Sequence, residues 1–98
     1  MPPSRVRYHE AAATELTGAA ERYEQAREGL GREFLAAIDA KIDRILEAPE
    51  RWLRVGRSRR LIVGRFPYVI VYRPSRDGEI EIVAVAHTSR KQNYWRLR

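Results

Sequence analysis

At Pro49 the hydrophobic pattern of this 98-residue chain changes period, and that change decides its fold class. Upstream, Ala12, Leu16, Ala19, Ala20 and Tyr23 recur at three- and four-residue steps, which predicts an amphipathic helix from Glu10 to about Ala26. Phe34, Leu35, Ile38, Ile42, Ile45 and Leu46 form a second stripe of the same kind, which Pro49 ends just after Ala48. Gly29 and Gly31 flank Leu30 between the two stripes and mark the turn of a helical hairpin. Downstream, after a connection holding Trp52, Val55 and Gly56, β-branched and aromatic residues gather in three blocks, Arg60 to Arg65, Tyr68 to Arg73 and Glu79 to His87. Phe66-Pro67 and the Asp77-Gly78 pair join them through connections short enough to require antiparallel pairing. Val6 and Tyr8, alternating with Arg5 and Arg7, add a short strand at the start.

The expected architecture is α+β, a two-helix hairpin packed on a small antiparallel sheet of three to four strands, as one domain over residues 1–98. Val69, Ile70 and Val71 run without a polar break, as suits a central strand. Along the last strand, Ile80, Ile82 and Ala84 are expected to face opposite to Glu81, Val83, Val85 and His87. The tail from Arg90 to Arg98 is expected to form a last helical turn across the sheet, whose face away from the helices is left for arginines. The start, MPPSRVRYHE, lacks the apolar run of a signal peptide or membrane span, so a soluble, unprocessed, cytoplasmic chain is expected.

Charge divides at the same point as the pattern. Residues 1–50 carry seven basic and ten acidic side chains; residues 51–98 carry twelve basic side chains against Asp77, Glu79 and Glu81. Of those twelve all but Lys91 are arginine, whose planar fork suits phosphate or carboxylate. An anionic partner is one reading of this half; solubility and scattered ion pairs are the other. Arg57, Arg59, Arg60, Arg65, Arg90 and Trp95 are the candidates for binding a partner or an anion. Trp52 and Trp95 each have two readings, stacking on bases or packing at the edge of the core.

The absence of cysteine excludes disulfides, thiolate metal sites and a cysteine nucleophile. His9 and His87, at opposite ends, provide no metal-ligand spacing, and no cofactor fingerprint accompanies the glycines, so neither metal nor cofactor is expected. No nucleophile-elbow motif surrounds Ser4, Ser58, Ser75 or Ser89. The acidic surface of both helices argues against either lying in a DNA groove. Metal-independent RNA cleavage needs a base, an acid and cations around the phosphorane, roles that His87, Tyr94, Arg65, Arg73 and Arg90 fill if they converge. The alternative is that His87 caps its strand by bonding backbone.

Three segments together, YEQAREGLGREFLAAIDAKIDRILEAPERW, RRLIVGRFPYVIVYR and IEIVAVAHTSRKQNYWRLR, resemble in order and spacing the RelE/ParE superfamily of bacterial type II toxins, which includes plasmid-stabilisation toxins. The resemblance covers nearly the whole chain. It implies two helices on a small antiparallel sheet, and a toxin held in an oligomeric complex by an antitoxin whose extended, partly helical segment covers the basic surface. The superfamily divides between ribosome-dependent mRNA endonucleases and inhibitors of DNA gyrase. RelE-like nucleases cluster Lys and Arg around the helix exit and sheet, whereas this chain has no Lys between Lys41 and Lys91. Arginine, with its high pKa, donates protons poorly. The strand ending in His87 and followed by Arg90 looks more like ParE-type members, which act by binding gyrase with no established catalytic set. The resemblance thus leans to gyrase inhibition, with the mRNA endonuclease and a non-toxic binding module of the same fold as alternatives.

Overall fold

The inward stripes of the two helices meet one face of a five-stranded sheet. The computed structural model describes residues 6–75, 78–91 and 93–98, so Arg5 and Asp77 of the expected first strand and hairpin turn lie outside the described residues. In chain order the elements are β1 (Val6–Tyr8), α1 (Glu10–Ala26), α2 (Leu30–Glu47), β2 (Leu53–Val55), β3 (Ser58–Ile62), β4 (Tyr68–Pro74) and β5 (Ile80–His87). The sheet order is β1-β5-β4-β3-β2. All neighbouring pairs are antiparallel except β1 with β5, which run parallel because α1 and α2 intervene between β1 and the meander. The class is therefore the α+β arrangement expected, with a wider and mixed sheet.

Packing of the helices on the sheet buries Phe34, Ile38 and Ile45 against Leu61, Ile70, Tyr72, Ile80 and Ile82. Each such side chain contributes roughly 1.5–3 kcal/mol of transfer free energy. At one end of this core the rings of Tyr23, Phe34, Phe66 and Tyr68 stand 5.0 to 6.2 Å apart, mostly edge-to-face. Phe66, read as part of a connection, is thus a core residue. Leu35, placed on the inward stripe, is exposed, one helical step beyond the face that Phe34 and Ile38 bury.

Three local features depart from the expectations. The connection after Pro49 contains β2, which pairs with the start of β3 through a turn at Gly56 and Arg57, Gly56 taking a positive φ of 62°. The β3 strand begins at Ser58 rather than at Arg60 and ends at Ile62. On β5, strict alternation fails because a β-bulge shifts the register between Val71 and Tyr72 of β4, pairing Val71 with Ala84 but Tyr72 with Ile82. Val83 is the extra residue, so Val83 and Ala84 pack together on the face away from the helices while Ile80, Ile82 and Val85 pack toward them.

Gly29 and Gly31 do different work. Gly29 is the left-handed residue before α2, with φ 85°, and is the turn glycine expected. Gly31 lies within the first turn of α2, buried, where a Cβ would stand 2.6 Å from the backbone oxygen of Ala20. The Glu24 carboxylate accepts from the N–H groups of both glycines, at 2.9 and 3.0 Å, and closes the hairpin. Those two bonds hold its carboxyl below the usual range.

The tail crosses the second sheet face, as expected, but as a run of turns and not a helical turn. Trp95 packs on Val69, Val71, Val83 and Ala84. What holds the tail is the edge of β5. Because β1 has three residues and pairs only with Ile80 to Ile82, the edge of β5 beyond it needs other partners. The N–H of Val85 donates to Glu15 of α1 at 3.0 Å, and the oxygen of Val83 accepts from the Arg98 guanidinium at 3.0 Å. Arg98 in turn grips Glu15 with two bonds of 2.9 Å, and the Tyr94 hydroxyl donates to the same carboxylate at 2.7 Å. The side chains of Glu15 and Arg98 are 16% and 18% exposed, so the pair is well shielded.

Burial pushes the Glu15 carboxyl up, but the bonds from Arg98, Tyr94 and Val85 together outweigh it and hold the group below the ordinary carboxylate range. A folded-state value below the unfolded one stabilises the fold above the unfolded carboxylate range, and the contribution is lost as pH falls through the folded value. Glu15→Gln is expected to cost about 2 kcal/mol near neutral pH. The difference from the parent, read from urea midpoints, shrinks on acidification; a difference independent of pH contradicts the assignment. Gly31→Ala, which in an open helix gains about 1 kcal/mol, is expected here to lose about 1–3 kcal/mol through the clash with Ala20. A raised melting temperature for Gly31→Ala contradicts the close approach.

Candidate functional site

The open face of the sheet follows from β3 and β4 register. Arg60 pairs with Val71 and Ile62 with Val69, so all four point away from the helices, whereas Leu61 pairs with Ile70 and points inward. Arg73 and Glu81 pair farther along the same face, with the guanidinium bonding the carboxylate at 2.8 and 2.9 Å. Trp95 divides this face into two depressions and borders both.

The larger, of about 400 Å³, is lined by Arg57, Ser58, Arg73, Asn93, Arg96 and Arg98, among others. Two of its arginines are compensated: Arg73 by Glu81, with a further bond of 3.0 Å to the Arg98 oxygen, and Arg98 by Glu15. The guanidinium groups of Arg57 and Arg96 have no ion pair or hydrogen bond among the described residues. The smaller, of about 150 Å³, is bordered by Arg60, Ile62, His87, Arg90, Tyr94 and Trp95. Ile62 is 55% exposed there, beside charged neighbours.

Of the five candidate catalytic residues, three share the smaller depression: His87, Arg90 and Tyr94. The His87 ring packs edge-on against Tyr68, and its Nδ1 accepts from the Ser89 N–H at 3.0 Å with the Ser89 hydroxyl 2.8 Å away. With Nδ1 accepting, the proton of the neutral ring sits on Nε2. His9 makes the matching contact at the start of α1, its Nδ1 accepting from the Ala11 N–H at 3.0 Å. The Arg90 guanidinium stacks over the Tyr94 ring, 4.0 Å from its centre, with Arg98 5.0 Å from it. Burial and the Glu15 carboxylate push the Tyr94 hydroxyl up to about 12.

Arg65 and Arg73 stand elsewhere. Arg65 pairs with Glu33 of α2 and lies over the Phe66 ring, while Arg73 borders the larger depression. The six candidates for partner or anion binding are also dispersed. Arg57 and Arg60 border different depressions, and Arg59 donates to the Trp52 carbonyl at 2.8 Å. Trp95 is 7% exposed and serves as packing. Trp52 is half-buried against the core, with the guanidinium groups of Arg44 and Arg51 near its ring. Among the described residues no three or more His, Asp or Glu side chains come together to hold a metal. No described helix is long and apolar enough to cross a membrane.

Sequence reasoning missed Glu15, Ser58, Asn93, Arg96 and Arg98. A signal for Glu15 was present: it falls between Ala12 and Ala19 at steps of three and four, a carboxylate on an apolar stripe. The others carried no signal: the tail conformation brings Asn93, Arg96 and Arg98 to the sheet, and Ser58 of β3 shares a depression with them only once the tail is in place.

Against known proteins, the profile of the ParE toxin of type II toxin–antitoxin systems, parDE, matches residues 6–92. No curated protein matches the chain. Among solved structures, the chain is similar to one described as the chromosomal ParDE toxin–antitoxin system from P. aeruginosa, at 17% identity and a TM-score of 0.67, over 87% of this chain and 96% of that one. That likeness shows a shared fold, and the profile spans both helices and all five strands from β1 onward. The chain therefore belongs to the ParE toxin family of type II toxin–antitoxin systems.

Proposed function

We propose that this chain arrests growth by binding DNA gyrase in the cytoplasm, and that a cognate antitoxin neutralises it in an oligomeric complex by covering the open sheet face. The observation that carries a binding mode of action is the commitment of the groups a nuclease would need. Tyr94, the candidate acid, donates its hydroxyl to Glu15 and is pushed up to about 12. His87, the candidate base, spends Nδ1 on Ser89 and in its neutral form presents a donor at Nε2. Arg65 and Arg73 each sit on a carboxylate outside the depression that holds His87. What the face offers is arginine interleaved with exposed Ile62 and half-buried Tyr94, a surface composition suited to a protein partner.

The antitoxin part of the proposal is supported by family membership and by charge. A basic half opposite an acidic, extended antitoxin segment gives the complementarity that speeds encounter and fixes register.

A second reading, ribosome-dependent mRNA cleavage, is favoured by one observation, the meeting of His87, Arg90, Arg60 and Tyr94 around a single depression. The two readings part at the target. Titrated into a supercoiling assay, the purified chain is expected to lower gyrase activity and raise the level of cleaved DNA complexes, and His87→Ala to retain that effect. Unchanged supercoiling and cleavage at excess toxin overturns the gyrase reading.

A further inference from the structure

The larger depression on the open face has a charge balance that its own chain leaves incomplete. Four guanidinium groups border it. Glu81 compensates Arg73 and Glu15 compensates Arg98, which leaves Arg57 and Arg96, both exposed at the rim, as two uncompensated side-chain charges among the described residues. The same depression is lined by two neutral hydrogen-bonding side chains: Ser58, on a residue only 6% exposed, and Asn93, held at φ 66° in the left-handed region.

The compensated pair also prepares the site. Arg73 is held by hydrogen bonds to Glu81 and to the Arg98 oxygen and by a second ion-pair contact with Glu81, so this part of the lining is in place before any ligand arrives. A carboxylate would neutralise one of the two open charges. A phosphate monoester carries close to two at neutral pH and presents three acceptor oxygens, which matches two guanidinium forks and two neutral donors. The volume, about 400 Å³, falls near the lower end of sites for small organic ligands and exceeds what a bare phosphate fills.

We infer that the depression bordered by Arg57, Ser58, Asn93 and Arg96 binds the phosphate monoester of a mononucleotide-sized ligand. The site lies across Trp95 from His87 and Arg90 and stands independently of the target proposed above. Arg73 and Arg98, which border the same depression, also tie the tail to the sheet through Glu81 and Glu15.

The test uses the full chain, ¹⁵N-labelled, titrated with 5′-AMP, 3′,5′-cyclic AMP and adenosine, three probes that share base and sugar but carry about two, one and no phosphate charges. The expected result is saturable shifts centred on the amides of Arg57, Ser58, Asn93 and Arg96, tightest for 5′-AMP and absent for adenosine. Arg57→Ala and Arg96→Ala each weaken 5′-AMP binding by about ten-fold or more, on the scale of a lost hydrogen bond to a charged group. Arg54→Ala, an exposed arginine that does not border this depression, leaves it unchanged. Ribose 5-phosphate binding as tightly as 5′-AMP also supports the site and assigns it to the sugar phosphate rather than the base. Equal binding of 5′-AMP and cyclic AMP, equal binding of citrate, or insensitivity to both rim substitutions in variants whose melting temperature matches the parent overturns it.

Discussion

The open face of this protein depends on one carboxylate. Glu15 leaves α1, reaches the edge of β5 where β1 has stopped, and accepts from the Val85 N–H, the Tyr94 hydroxyl and both ends of the Arg98 fork. A three-residue parallel strand would otherwise leave backbone groups of β5 unpaired beside the core, a cost of about 1–3 kcal/mol for each group. The chain meets that demand with side chains from two distant segments, and the same bonds lay the tail across the sheet. Once the tail is down, Trp95 is buried against Val69, Val71, Val83 and Ala84, and the face acquires a ridge with a depression on each side.

That arrangement sets what the basic half of the chain can do. Charge count alone does not rank the arginines after Pro49, but the fold sorts them. Arg59, Arg65, Arg73 and Arg98 are spent on the Trp52 carbonyl, Glu33, Glu81 and Glu15, while Arg57, Arg60 and Arg96 remain without an ion pair among the described residues. Arg90 lies between these cases, stacked on Tyr94 yet exposed. A surface made this way presents fixed positive charge and a few apolar side chains, with its tyrosine hydroxyl engaged elsewhere. These are features of recognition more than of proton transfer.

Much of the fold was legible in the sequence, because the elements that fill the core are the ones with a clear period. The stripe of α1, the Pro49 stop, and the blocks that became β4 and β5 all follow from side chains that have one place to go. The rest depended on tertiary contacts that leave no periodic trace. Leu53–Val55 is too short to read as a strand until β3 lies beside it. The bulge at Val83 interrupts an alternation that reads as regular in IEIVAVAH. Gly31 reads as a second turn residue until Ala20 is seen to approach it. Of the candidate site, His87, Arg90 and Tyr94 were legible as a group, but Arg65 and Arg73 were not separable from them, since pairing with Glu33 and Glu81 is a property of the folded sheet.

The central claim is that the protein stops growth by binding and leaves RNA intact. It is tested most directly by mapping new RNA 5′ ends across the transcriptome within minutes of expressing the chain alone in growing bacteria. The account predicts growth arrest with no new ends inside translated codons. Cuts within codons that vanish in His87→Ala or Arg90→Ala would contradict it and return the smaller depression to the role of a nuclease centre.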